Sequence, residues 1–164
     1  MEIVHEARTG QGSLSVVLED EHRAIDAPIE GFAGDGATGR DRSALAGAIG
    51  ALRRHIYLEE ELLFPPLRHA GLMGPVLVML REHAQLWRTL DTLDHLLAAH
   101  APEVALHNAC RELRGQLQSH NPKEEQILYP QADVLLSATE LARVRAFLGS
   151  GELPDGWTCQ YLRA

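Results

Sequence analysis

The chain has 164 residues, is 45% hydrophobic and carries a formal net charge of −8, enough for one domain with a substantial core and too short for two of ordinary size. The acidic balance argues against a nucleic-acid partner, because a polyanion needs a basic face, and no apolar run approaches the length of a membrane span. Its two cysteines, Cys110 and Cys159, lie outside any C-x-x-C pattern, which excludes a disulfide framework and a thiolate metal site and suits a reducing cytoplasm.

The opening, MEIVHEARTGQG, is polar and acidic and lacks the basic start and apolar stretch of a signal peptide, so a cytoplasmic protein is expected. β-Branched residues are sparse and Ala and Leu dominate, which predicts an all-α chain. The first helix is expected from about Ser13 to Ile29, with Leu14, Leu18, His22, Ile25 and Ile29 at helical spacing and Pro28 bending or ending it. The segment from Gly31 to Asp41 reads as a loop. A second helix covers about Arg42 to Phe64 and stops at Pro65 and Pro66. The third begins at Gly74-Pro75, with proline in the tolerated first position, and runs to about Ala99. The fourth starts at Pro102, again with proline in the first helical position, and continues past His120. Ser137 and Glu140 are spaced as a capping box for a short fifth helix, and the tail beyond Gly151 reads as irregular, with Trp157 and Tyr161 packing back. Long helices joined by short connections predict an antiparallel up-down four-helix bundle with a short additional C-terminal helix. This is a single domain over 1–164, with its core at about 13–130 and an extension at about 131–164.

The strongest feature is an internal repeat. HIYLEEELLFP, from His55, aligns with HNPKEEQILYP, from His120, and Glu21-His22 aligns with Glu82-His83. Each half supplies a lone histidine and then a histidine followed four residues later by a glutamate. Residues four apart share a helix face, so His55 with Glu59, and His120 with Glu124, can each reach a common point. Their neighbours on those faces are apolar: Leu52 and Leu62, Leu113 and Leu117, Leu86 and Leu90 near His83, Leu18 and Ile25 near His22.

Buried carboxylates without partners cost on the order of several kcal/mol each, and a pair of divalent cations removes that cost. The candidate metal ligands are therefore His22, His55, Glu59, His83, His120 and Glu124, a donor set that suits iron, manganese or zinc. His5, His69, His95, His100 and His107 lack repeat partners or face the wrong way. Glu60, Glu61 and Glu125 are expected to rotate towards solvent, and Asp26 is at most an outer contact.

These motifs, with VMLREH at 78–83, resemble the hemerythrin or HHE cation-binding family over residues 14 to 130. The resemblance implies a four-helix bundle and a non-haem, carboxylate-bridged di-iron centre that reacts with or senses dioxygen, nitric oxide, or iron and redox state. His22 and His55 resemble the ligands of one iron, His83 and His120 those of the other, and Glu59 and Glu124 the bridging carboxylates. Two departures stand out. Oxygen carriers of the family have a further histidine one turn before the position of His83, where this chain has Met79, a poor ligand for ferric iron. The carriers also bridge with a carboxylate five residues after the last-helix histidine. Here the repeat favours Glu124 at four, although a kink at Pro122 could swing Glu125 inward. With two imidazoles, two carboxylate oxygens and a bridging hydroxide or oxide, each iron keeps one place open. That favours gas or redox sensing over transport. The alternatives are an oxidase or peroxidase, for which Tyr57 is the nearest proton donor but is turned off the ligand face, and a non-redox iron or zinc binder.

Overall fold

Ser13 accepts a hydrogen bond from the Val16 N–H and opens α1, Leu14–Ala33; Asp41 caps α2, Arg42–Leu58, in the same way through the Ala44 N–H. A side-chain oxygen at this place satisfies one of the amides that a helix leaves unpaired at its start. These elements come from a computed structural model that describes residues 12–36 and 40–163. His5 and all but the last residue of the segment read against a signal peptide lie outside the described residues, as do three positions of the 31–41 loop.

α1 does not end at Pro28. It continues to Ala33 with proline inside it, because Ile29, Phe32 and Ala33 are all buried and their packing outweighs the loss of one backbone hydrogen bond. Pro65 and Pro66 likewise do not stop the chain's helical course. After α2 a π-helical turn, Glu59–Leu63, leads into α3, Phe64–His69, with the prolines in its first turn. Gly71, at φ +100°, then reverses the chain in a conformation that costs glycine little. α4, Met73–Ala98, and α5, Glu103–Lys123, follow. A second π-helical turn, Glu124–Leu128, precedes α6, Tyr129–Leu135. α7, Ala138–Ser150, carries the capping box expected of Ser137 and Glu140. The described residues contain no strand, and none of their helices is long and apolar enough to cross a membrane.

The four long helices contact one another around a ring: α1 packs on α2 and α5, and α4 packs on α5 and α2. Contacts between α1 and the α5–α6 stretch pair Ser15 with Asp133, Asp26 with Asn121, Glu30 with Arg114 and Phe32 with His107. One partner's number falls as the other's rises. Between α2 and α4, Arg53 bonds Asp91 and Asp94 at 2.8 and 2.6 Å.

Two apolar clusters fill the interior. One gathers Ile25, Ile29, Phe32, Leu52, Leu86, Leu90 and Leu113; the other gathers Leu14, Leu18, Leu63, Phe64, Met79, Leu80 and Leu128. α1, α2 and α4 each pass from one cluster to the other, α5 reaches the second through the π-helical turn that follows it, and polar residues lie near each crossing: His22 on α1, His55 on α2, His83 on α4 and His120 on α5. Trp157 packs against Tyr57 and Trp87 at ring-centroid distances of 5.1 and 5.5 Å, as expected of the tail, whereas Tyr161 is exposed.

Candidate metal centre

Both glutamates of the repeat open a π-helical turn. The Phe64 N–H bonds the Glu59 carbonyl and the Tyr129 N–H bonds the Glu124 carbonyl, five residues back in each case. Pro65 and Pro130 follow directly. A proline ring crowds the carbonyl four residues before it, here Glu61 and Gln126, in the middle of each widened turn. The sequence thus sets two matched π-turns, a feature often found at functional sites.

The structure brings all six predicted side chains together, each between 0 and 3% exposed. They form two groups that share both carboxylates: His22, His55, Glu59 and Glu124, and Glu59, His83, His120 and Glu124. Within a group the donor atoms lie within 4.8 Å of one another, a spacing that can hold a metal ion. His22 Nε2 is 3.1 Å from His55 Nε2 and 3.3 Å from Glu124 Oε1. His83 Nε2 is 3.3 Å from Glu59 Oε1, and His120 Nε2 is 3.1 Å from Glu124 Oε1. Glu59 Oε1, His83 Nε2 and Glu124 Oε2 are buried with no hydrogen-bond partner. Orphaned polar atoms of this kind are costly, and a cation among them would engage all three.

Behind each imidazole stands another carboxylate. Glu21 faces His55 Nδ1 at 3.0 Å, Glu82 faces His120 Nδ1 at 2.9 Å, Glu60 faces His83 Nδ1 at 2.7 Å and Glu125 faces His22 Nδ1 at 3.1 Å. An ionised carboxylate only accepts, so each Nδ1 carries a proton and donates, and each Nε2 faces the centre. This arrangement fixes the tautomer and ring orientation of a metal-binding histidine. The glutamate preceding each lone histidine serves the other histidine of its own half. The glutamate following each shared carboxylate serves the opposite half.

A model of the Hemerythrin HHE cation binding domain matches residues 13–132. The chain belongs to the hemerythrin HHE cation-binding family. Among curated proteins, this hemerythrin-family chain is similar to the iron-sulfur cluster repair protein YtfE of Escherichia coli O81 (strain ED1a), 32% identical over 91 residues that cover 49% of this chain and 41% of the relative. The same protein of Shigella boydii serotype 18 is 31% identical over the same shares. The chain therefore matches less than half the length of these relatives. No solved structure matches it.

Three expectations need correction. Glu60 is not solvated: it is 9% exposed and bonds His83. Glu125 is half-buried and bonds His22 rather than facing water. The third concerns tyrosine. Tyr57 does lie off the site, against Phe147 and Trp157, but the fully buried Tyr129 was missed, and its hydroxyl sits among the donors of the His22–His55 group. Glu61 is exposed and bonds Trp157 Nε1. Asp26 lies outside both groups, bonded by Asn121. His69, His95 and His100 are exposed, and His107 donates to the Phe32 carbonyl. Met79 packs in the second apolar cluster.

Without a cation, protons hold the charges in balance. Burial alone would lower His55, but Glu59 and Glu21 outweigh it and push the imidazole up to about 10. His83, also opposed by burial, is held well above its ordinary value by Glu124, Glu59 and Glu60, and His120 is raised by Glu124 and Glu82. Burial works against ionised Glu124, yet His120 and its hydrogen bonds keep it well below the usual carboxylate range. Metal entry must displace such protons, so it couples to pH.

Proposed function

We propose that this chain is an antiparallel four-helix bundle holding a non-haem di-iron centre on His22, His55, Glu59, His83, His120 and Glu124. In this reading it reacts with or senses dioxygen, nitric oxide, or iron and redox state. The observation that carries the reading is the pair of overlapping buried groups that share Glu59 and Glu124. The three orphaned atoms support it, as does the descending order of contacts between α1 and the α5–α6 stretch. When bound, a pair of iron ions supplies one-electron redox steps and an open place for a small ligand.

The chain's own residues do the rest. Glu59 and Glu124, common to both groups, would each help to hold both ions, and Glu21, Glu60, Glu82 and Glu125 keep the imidazoles turned inward. The apolar clusters on either side exclude bulk water. The near-complete burial of the six donors admits a diatomic molecule more readily than a bulky substrate, which favours a sensor over an oxidase. A surface cavity of about 350 Å³ beside Asp26 and Pro122 is lined in part by Glu125, the carboxylate that bonds His22. The name of the curated relatives, iron-sulfur cluster repair protein, agrees with a role in handling iron after chemical damage. The two buried free cysteines fit a cytoplasmic setting.

Elemental analysis of the iron-reconstituted chain tests the reading and should approach two ions per chain. Optical spectra should change on addition of nitric oxide or dioxygen. Saturation near one ion removes the paired centre, and an iron-loaded protein indifferent to both gases removes the sensing role.

A further inference from the structure

The two halves of the repeat differ at one position that reaches the centre. Phe64 and Tyr129 occupy equivalent places, each five residues after a shared carboxylate. Phe64 stacks on His83 with ring centroids 5.6 Å apart and offers no polar atom. The Tyr129 ring lies 5.4 Å from His22, and its hydroxyl is 2.9 Å from His22 Nε2, 3.0 Å from His55 Nε2, 2.9 Å from Glu59 Oε2 and 3.3 Å from Glu124 Oε1.

A phenol has one proton to give and two lone pairs, so hydrogen bonding cannot satisfy four such neighbours at once. The distances fit another role. An ion with bonds of about 2.1 Å and octahedral geometry sets adjacent donors about 3.0 Å apart, and each vertex has four such neighbours. The four neighbours of the Tyr129 oxygen are the four members of the His22–His55 group. In the metal-free chain the orphaned nitrogen is His83 Nε2, in the group that lacks the phenol.

Resting on the di-metal reading above, we propose that Tyr129 is a fifth protein donor, through its phenolic oxygen, to the ion held by His22 and His55. As that ion enters, an O–metal bond replaces the O–H bond, the proton passes to bulk water, and no electron moves. A bound cation favours this deprotonated form, which burial and the bare carboxylates of Glu124 and Glu59 oppose in its absence. The two metal positions are then unlike. The ion on His22 and His55 has five protein donors, whereas the one on His83 and His120 has four, with the Phe64 ring in the matching place. The small ligand therefore binds at the His83–His120 ion, and the other position fills first.

Resonance Raman and visible spectra of the full chain loaded with ferric iron provide the test. Tyrosine ring modes enhanced through a phenolate-to-iron band are expected in the parent. They should vanish in Tyr129→Phe while elemental analysis still finds two ions, and calorimetric zinc titration should show the tighter of two steps weakened by about tenfold or more. The chain has three tyrosines, so Tyr57→Phe and Tyr161→Phe, both retaining the band, assign it to Tyr129 even where Tyr129→Phe does not fold. Two bound irons without tyrosine modes, or a band unchanged in Tyr129→Phe, overturns phenolate ligation and leaves the di-metal reading standing. A parent that never takes up two ions overturns the reading beneath it.

Discussion

Glu60 and Glu125 occupy the same place in the two halves of the repeat and make the same bond to different histidines, so replacing each in turn separates burial from chemistry. The Glu60 side chain is 2% exposed and its bond to His83 is 2.7 Å long; the Glu125 side chain is 31% exposed and its bond to His22 is 3.1 Å. Outer partners of this kind are worth roughly 10- to 100-fold in metal affinity. Glu60→Ala should fall at the upper end, because no water replaces the lost acceptor, and Glu125→Ala at the lower end, because water can. In the metal-free protein, Glu60→Ala also strands a buried imidazole N–H at a cost of about 1–3 kcal/mol. The backbone N–H of Gln160, which also bonds Glu60 at 2.7 Å, belongs to an exposed residue and can turn to water. Competition between the protein and a chromophoric chelator for zinc measures the first effect, and thermal melts of the metal-free forms measure the second. An equal or inverted ranking of the two variants would refute the argument from burial.

Metal-free protein should lose stability as pH rises. The raised imidazoles contribute fully below their ordinary value of 6.5 and lose that contribution as pH climbs towards the His55 value of about 10. Lowered Glu124 contributes above its ordinary 4.5 and is lost only as pH falls beneath that. The apo Tm should thus peak between these values and the gap to the loaded form should widen to pH 9; an apo Tm that rises over that range contradicts the balance of charges. Glu59→Ala removes a donor from both groups and should deplete both ions in elemental analysis, whereas His95→Ala, whose ring bonds the Asp91 carbonyl on an exposed face, should retain them; equal retention would mean that Glu59 holds neither. Ser137→Ala should destabilise the chain by about 1 kcal/mol, read as a lower midpoint in urea, because it removes the oxygen that caps α7; an unchanged midpoint would show that α7 unfolds independently of the transition.

The helices, the capping box and the meeting of six donors were legible because spacing at three and four residues translates directly into shared α-helical faces. What escaped notice depends on departures from that geometry. In an α-helix, position five lies ~140° around from the starting residue, which points Tyr129 away from Glu124. The π-turn brings it back. The prolines at 65 and 130 are the available signal for that turn, but Pro65 reads equally well as a stop. Glu60 and Glu125 were assigned to solvent for a related reason: on one helix each faces away from its neighbouring carboxylate, and only packing reveals that an imidazole from the opposite half is waiting there. The end of α1 is less legible, because Pro28 signals a bend or a stop and only packing shows that Phe32 and Ala33, beyond Ile29, are buried and keep the helix going.

The covalent joining of the two halves permits what a dimer of half-chains could not. Symmetry would force identical hairpins paired about a two-fold axis to place a tyrosine beside both metal positions or beside neither. With both halves on one polypeptide, the position after leucine can be Phe64 in one and Tyr129 in the other, while Glu59 and Glu124 remain common to the two. A single chain can therefore hold two ions at one pair of carboxylates and still give them different work.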